Sequence, residues 1–253
     1  MLGDKTIDKS TPIPLYFQLE SMILEEIKSG TYAPGDLIPT EVELSDMFQI
    51  SRTTVRQAIT DLVNNGYVYR VKSKGTFVSP PKIERMIPAA GQPYSAYTFE
   101  QEMYEKGHTP DSKVVDLKEV EAPSVMIKNG YNSPSGKAIY VYRIRYVDGK
   151  PLERVISYLH YEHFREYLET DELSHFNIGQ IMNRKEETKV HRVSRVLEVL
   201  PASSEDVKIF DIKSKSPVQL MTSLRYDVND DLLDISYAYY RGDMSRLHFE
   251  VSY

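Results

Sequence analysis

Residues 40–78 carry three kinds of local signal packed end to end, and that succession constrains the fold more than anything else in the chain. Thr40 stands three residues before Glu43, the spacing of a capping box, and Leu44, Met47 and Phe48 give the short helix it opens an apolar side. Gln49 and Ile50 leave room only for a brief turn. Ser51 then caps a helix in which Val55, Ala58, Ile59, Leu62 and Val63 face inward and which Asn65-Gly66 closes. Two short strands are expected next, Tyr67 to Val71 and Thr76 to Val78, joined by the basic tip Lys72-Ser73-Lys74-Gly75. Upstream, past Pro12 and Pro14, Leu15, Leu19, Met22, Ile23 and Ile27 share one face of a further helix that stops at Gly30. Helices joined by a tight turn and followed by a basic hairpin describe a winged helix-turn-helix.

The charge distribution agrees. Between positions 49 and 82 the basic residues are Arg52, Arg56, Arg70, Lys72, Lys74 and Lys82 against the single acid Asp61, on a chain whose net charge is −6. A cationic patch on an acidic body suits a polyanion docking at one place, although by charge alone a solvated stretch of surface reads the same way. The side of the Ser51-capped helix away from its apolar stripe shows Arg52, Thr53, Arg56, Gln57 and Thr60, groups suited to base edges and phosphates.

The text running from PLYFQLES through GDLIPTE and SRTTVRQA to KGTFV closely resembles the N-terminal domain of GntR-family bacterial transcription regulators, specifically the HutC-like subfamily, over positions 12–78. The resemblance implies a cytoplasmic regulator, most often a repressor, that binds double-stranded operator DNA as a homodimer. It implies that Arg52 reads a guanine and that Gly75 enters the minor groove, which agrees with the bidentate reach of a guanidinium and the slimness of a glycine. The candidate DNA contacts are therefore Thr40, Ser51, Arg52, Thr53, Thr54, Arg56, Gln57, Lys72, Lys74 and Gly75. Many relatives have arginine where this chain has Val42, so an altered operator sequence is expected.

The expected architecture is α+β in two domains: residues 1–79 as the winged helix-turn-helix, 80–94 as a linker stiffened by Pro80, Pro81, Pro88 and Pro93, and 95–253 as a second domain. A short helix is expected from Phe99 to Gly107. Ala138 to Val147 alternates, with Tyr140, Tyr142, Ile144 and Tyr146 on one side and Val141, Arg143 and Arg145 on the other; Asp148-Gly149 turns the chain and Pro151 to His160 returns. Further strands are expected over 189–200, 217–228 and 232–240, and helices over 161–168, 178–183 and 205–211. Tight turns between strands imply a mainly antiparallel sheet. The subfamily's effector domain, called UTRA and chorismate-lyase-like in fold, has this order of elements.

Arg143 and Arg145 stand two apart on one sheet face. They read either as solvated partners of Glu153 across the hairpin or as a clamp for a phosphate or carboxylate. The resemblance favours the clamp, because relatives bind a small, usually anionic metabolite with this V-x-R-x-R strand and a later (E/D)-x-S-x-x-x-YRGD strand, here Asp234, Ser236, Tyr240 and Arg241 to Asp243. Phosphosugar-binding relatives have S-F-T-E in the helix after the linker; the equivalent here is Thr98-Phe99-Glu100-Gln101, which places Phe99 at the implied site. Four positions depart from the pattern: Glu100, Val155 in place of the usual acid, Gly179 where a hydroxyl is usual, and Met244 after RGD. They leave open a regulator whose second domain only dimerises and binds no small molecule.

Other chemistry is poorly supported. With no Cys there are no disulfides, thiolate metal sites or cysteine nucleophiles, which is compatible with a reducing cytosol. No apolar run approaches the roughly 18 residues that cross a bilayer. His160 and His163 lack a carboxylate at a convincing metal-site spacing. There is no P-loop, GxGxxG or GxSxG, and no evident base or nucleophile, so no cofactor, metal or catalytic residue is expected.

Overall fold

The computed structural model describes residues 2–87, 98–170, 172–175 and 178–250. Two compact units divide the chain: Met1–Ile83 with Gly242–Met244, and Glu84–Arg241 with Ser245–Tyr253.

In the first unit, α1 (Leu15–Lys28), α2 (Glu41–Phe48) and α3 (Arg52–Asn64) precede β1 (Val68–Val71) and β2 (Gly75–Val78). The apolar stripes read from the sequence meet in one core of Leu19, Ile23, Leu44, Phe48, Val55, Ala58, Ile59 and Leu62, closed by Val68 and Val78. At the start of α2 the Thr40 and Glu43 box is reciprocal: Glu43 N donates to Thr40 Oγ1 at 3.2 Å and Thr40 N donates to Glu43 Oε2 at 2.7 Å. Gln49 supplies the left-handed turn between α2 and α3, with φ of 53°. The first strand of the hairpin starts one residue later than its sequence suggests, at Val68, and the second one residue earlier, because Gly75 pairs with Val71. Residues 35–38 extend it: Gly35 N donates to Val78 O and Ile38 N to Thr76 O, both at 2.9 Å.

The second unit is built on an antiparallel six-stranded sheet. Its elements are β3 (Ile83–Ile87), α4 (Phe99–Glu105), β4 (Pro110–Glu121), α5 (Ser124–Lys128), β5 (Lys137–Val147), β6 (Lys150–His160), α6 (Tyr161–Phe164), α7 (Glu172–His175), α8 (Ile178–Met182), β7 (Arg192–Pro201), α9 (Ser204–Phe210), β8 (Pro217–Tyr226), β9 (Leu232–Arg241) and β10 (Ser245–Phe249). Strand order in the large sheet is β4-β5-β6-β9-β8-β7, and β3 pairs separately with β10. Asp148 and Gly149 turn β5 into β6 with φ of 51° and 74°, as the Asp-Gly dipeptide predicts.

Two expectations are corrected. The stretch expected as a linker is not free of regular structure: residues 83–87 are a strand, because β10 supplies the backbone partners that a local reading cannot see. The rest of that stretch, 88–94, lies outside the described residues. The helix expected over 161–168 ends at Phe164 and continues as a 3-10 turn, Arg165–Glu169.

Candidate nucleic-acid interface and binding cavity

In the first unit the groups expected to meet DNA lie along α3 and the hairpin. Ser51 Oγ accepts from Thr54 N at 3.1 Å, so Ser51 and Thr54 are engaged in opening the helix. Thr40 caps α2 in the same way. Arg52, Thr53, Arg56 and Gln57 are exposed, as are Lys72 and Lys74 at the hairpin tip. Gln57 bonds Asp61 along its own helix at 2.9 Å. Arg56 and Arg70 share one carboxylate, with Glu41 at 3.1 Å from each. Such exposed pairs contribute at most about 1 kcal/mol, so a phosphate can displace Glu41 without costing the fold much. Gly75 has φ of 124°, a conformation that an L side chain rarely adopts, and a Cβ there would stand 2.5 Å from Leu37. Val42 lies exposed at the start of α2.

In the second unit one sheet face floors a cavity of about 690 Å³. Strand register builds that floor in rows. Val141, Ser157, Ser236, Ser223 and Arg195 face each other in turn across β5, β6, β9, β8 and β7, and the next row runs Arg143, Val155, Ala238, Met221. Because side chains alternate along a strand, the floor also takes Arg145, Glu153 and Tyr240. β3 and α4 supply Arg85, Phe99 and Glu102 to the lining, and α8 supplies Gly179.

Charge inside is largely paired. Arg85 lies 2.7 Å from Glu153 and 3.0 Å from Glu102, and Arg145 takes the other Glu153 oxygen at 2.7 Å. Burial alone would raise the Glu153 carboxyl, but Arg85 and Arg145 together hold it below the ordinary carboxylate range. Both guanidiniums pack on Phe99, 4.7 and 5.0 Å from its ring centre. Arg225 donates to both Asp234 oxygens, at 2.6 and 2.9 Å, and to Ser236 Oγ at 3.1 Å.

Arg143 differs. It is only 5% exposed, its Nη2 donates to the Leu173 carbonyl, and among the described residues its buried Nε has no partner. Directly across the strand pair stands Val155. Burial, followed by the neighbouring charge of Arg145, pushes the guanidinium down to about 10, with Glu100 and Glu153 acting the other way.

Phe99, Arg143, Arg145, Ser236 and Tyr240 therefore line one cavity. Asp234 does not: it is fully buried behind Arg225 and holds that arginine in place. Nor do the four departures from the family pattern share one pocket. Val155 and Gly179 line it, whereas Glu100 is not part of the lining and Met244 belongs to the first unit. Reading the sequence missed Arg85, Glu102, Arg195 and Arg225. Arg85 fell in the expected linker, and only the β7-β8-β9 register brings Arg195 and Arg225 beside Ser236. The two histidines pack ring on ring, 4.4 Å apart, and among the described residues no group of His, Asp and Glu is placed to hold a metal. No helix among the described residues is long and apolar enough to cross a membrane.

A winged helix-turn-helix with its cations outward, together with a domain that encloses a charged small-molecule cavity, defines a DNA-binding regulator. Comparison with known proteins supplies the family. Residues 15–78 match "Bacterial regulatory proteins, gntR family" and residues 105–246 match "UTRA domain". The chain is 31% identical over 242 residues to the HTH-type transcriptional repressor NagR of Bacillus subtilis, covering 94% of each chain. It is 26% identical to the "Probable fructoselysine utilization operon transcriptional repressor" of Escherichia coli, covering 90% of this chain and 91% of that one. In structure it is similar to PhnF from Mycobacterium smegmatis, with a TM-score of 0.58 at 18% identity, over 94% and 98% of the two chains. The chain belongs to the GntR family of transcription regulators, in the HutC-like group that joins a winged helix-turn-helix to a UTRA domain. It is a regulator and not an enzyme.

Proposed function

We propose that this regulator is a ligand-responsive repressor of a metabolic operon, that it binds a palindromic operator as a homodimer, and that its effector is a small anion held by Arg143 and Arg145. The observation that carries the effector reading is the Arg143 guanidinium, buried in a cavity of about 690 Å³ and facing Val155 rather than a carboxylate. A buried cation with no carboxylate in direct contact is costly, and an incoming carboxylate or phosphate relieves that cost through charge-assisted hydrogen bonds. The serine row Ser157, Ser223 and Ser236 offers hydroxyls to the rest of the molecule. One of the relatives is by name a probable repressor of a fructoselysine utilization operon, which favours a phosphosugar or sugar acid. A ligand that weakens operator binding must itself bind the DNA complex less tightly.

Thermal-shift screening with phosphosugars and small carboxylates, followed by operator mobility-shift assays, tests the reading. An effector raises the melting temperature and releases DNA from the wild type. Arg143→Ala is expected to abolish both responses while leaving operator affinity intact; a variant that still responds removes Arg143 from the site. If no anion shifts melting at millimolar concentration, the second domain senses none.

A further inference from the structure

Strand register sorts the cavity floor by chemistry. One row holds the Arg145 and Glu153 ion pair with Tyr240 beyond it, and another, Ser157, Ser236 and Ser223, carries hydroxyls. Between them runs a row that opens on Arg143 and continues, one strand at a time, through Val155, Ala238 and Met221. Val155 and Ala238 are half-buried and line the cavity, so their apolar surface meets whatever fills it. Met221 is only 3% exposed and packs with Ile87 of β3, which closes that end of the row with apolar groups.

This middle row offers two kinds of contact in succession. Arg143 supplies donors to an anion, and the next three positions supply no strong donor or acceptor at all. A hydroxyl laid over Val155, Ala238 or Met221 gives up water and gains no side-chain partner, whereas a hydrocarbon there gains by leaving water. From β6 to β8 the row runs two strand spacings, about 10 Å. A cavity of about 690 Å³ also suits a ligand well beyond the size of a bare anion. Hydroxyl partners are confined to one flank, the serine row.

We infer that the effector is an anion with an apolar arm: a phosphate or carboxylate on Arg143 bearing an alkyl or aryl group that lies along Val155 and Ala238 toward Met221. The inference rests on the anionic effector proposed above and narrows its class, because a ligand hydroxylated on every side leaves this row unmatched. Val155 is the position that sets the specificity. It stands directly across the strand pair from Arg143, and so decides what the atoms next to the anion can be.

Calorimetric titration of the full chain with inorganic phosphate, glucose 6-phosphate, n-hexyl phosphate and phenyl phosphate reads the arm directly. Hexyl and phenyl phosphate are expected to bind at least about tenfold more tightly than glucose 6-phosphate. Val155→Thr and Ala238→Ser each add one hydroxyl to the row with little change of shape. Each should shrink the ratio of hexyl phosphate to glucose 6-phosphate affinity at least about fivefold. Ile127→Thr, at an exposed position on α5 outside the cavity lining, should leave that ratio alone. Equal affinity for hexyl phosphate and glucose 6-phosphate, or a ratio unchanged in both row variants while they still melt cooperatively, overturns the arm and leaves the anionic effector standing. Hexan-1-ol binding as tightly as hexyl phosphate shows an apolar site that needs no anion, and it overturns the arrangement too. If none of the four phosphates and no small carboxylate binds at millimolar concentration, the arm and the anionic effector fall together.

Discussion

The two units use arginine in opposite ways. On α3 and β1, Arg56 and Arg70 reach a single Glu41 from solvent, with their side chains 67% and 40% exposed. In the cavity, Arg85 and Arg145 reach a single Glu153 that water does not touch. The motif is the same, two guanidiniums on one carboxylate, yet burial reverses its meaning. In water the carboxylate is a replaceable counter-ion, and the arginines remain available to a polyanion. Under the sheet it compensates two desolvated charges at once, with Glu102 sharing only Arg85, and cannot be given up.

Glu153→Gln should therefore produce the largest effect, a loss of about 3–5 kcal/mol of stability by denaturant titration. The same carboxyl sets a pH dependence. Its folded pKa lies below the unfolded value near 4.5, so its contribution is complete above that pH and is lost as pH falls through the lowered folded value. Acid unfolding of the wild type should steepen there, and in Glu153→Gln that component should vanish.

Next comes Arg52→Ala, which should cost roughly 1–3 kcal/mol of specific operator binding with melting unchanged. An unchanged mobility-shift titration would place the reading surface elsewhere. Val155→Glu sets a carboxylate across from Arg143; effector affinity should fall about tenfold, near 1.4 kcal/mol, with the fold intact. The smallest change is expected from Glu41→Ala, within about 0.5 kcal/mol in stability. At low salt it should bind DNA slightly more tightly, because Arg56 and Arg70 no longer have a competing carboxylate.

The first unit was legible almost residue by residue, since its determinants are local. Thr40 with Glu43, Ser51 with Thr54, and the Lys72 to Gly75 tip each act within a few positions of themselves. β4 escaped notice for an equally local reason: the bulge after Val114 shifts the alternation, so Val114 and Leu117 pack into the same core at odd spacing. In the cavity Arg143 and Arg145 were visible as a pair, but their different circumstances were not. Glu153 faces Arg145 and Val155 faces Arg143, so a shift of two residues along β6 decides which arginine is neutralised.

Capping, turn chemistry and period are short-range interactions, and for this chain they were enough to determine a winged reading head and an antiparallel second domain. Which charges are buried and which arginine has no carboxylate in contact depend on the stacking of β6, β9, β8 and β7, whose partners lie up to nearly ninety residues apart. Desolvation is a property of that assembled environment, and no stretch of the chain contains it before the sheet closes.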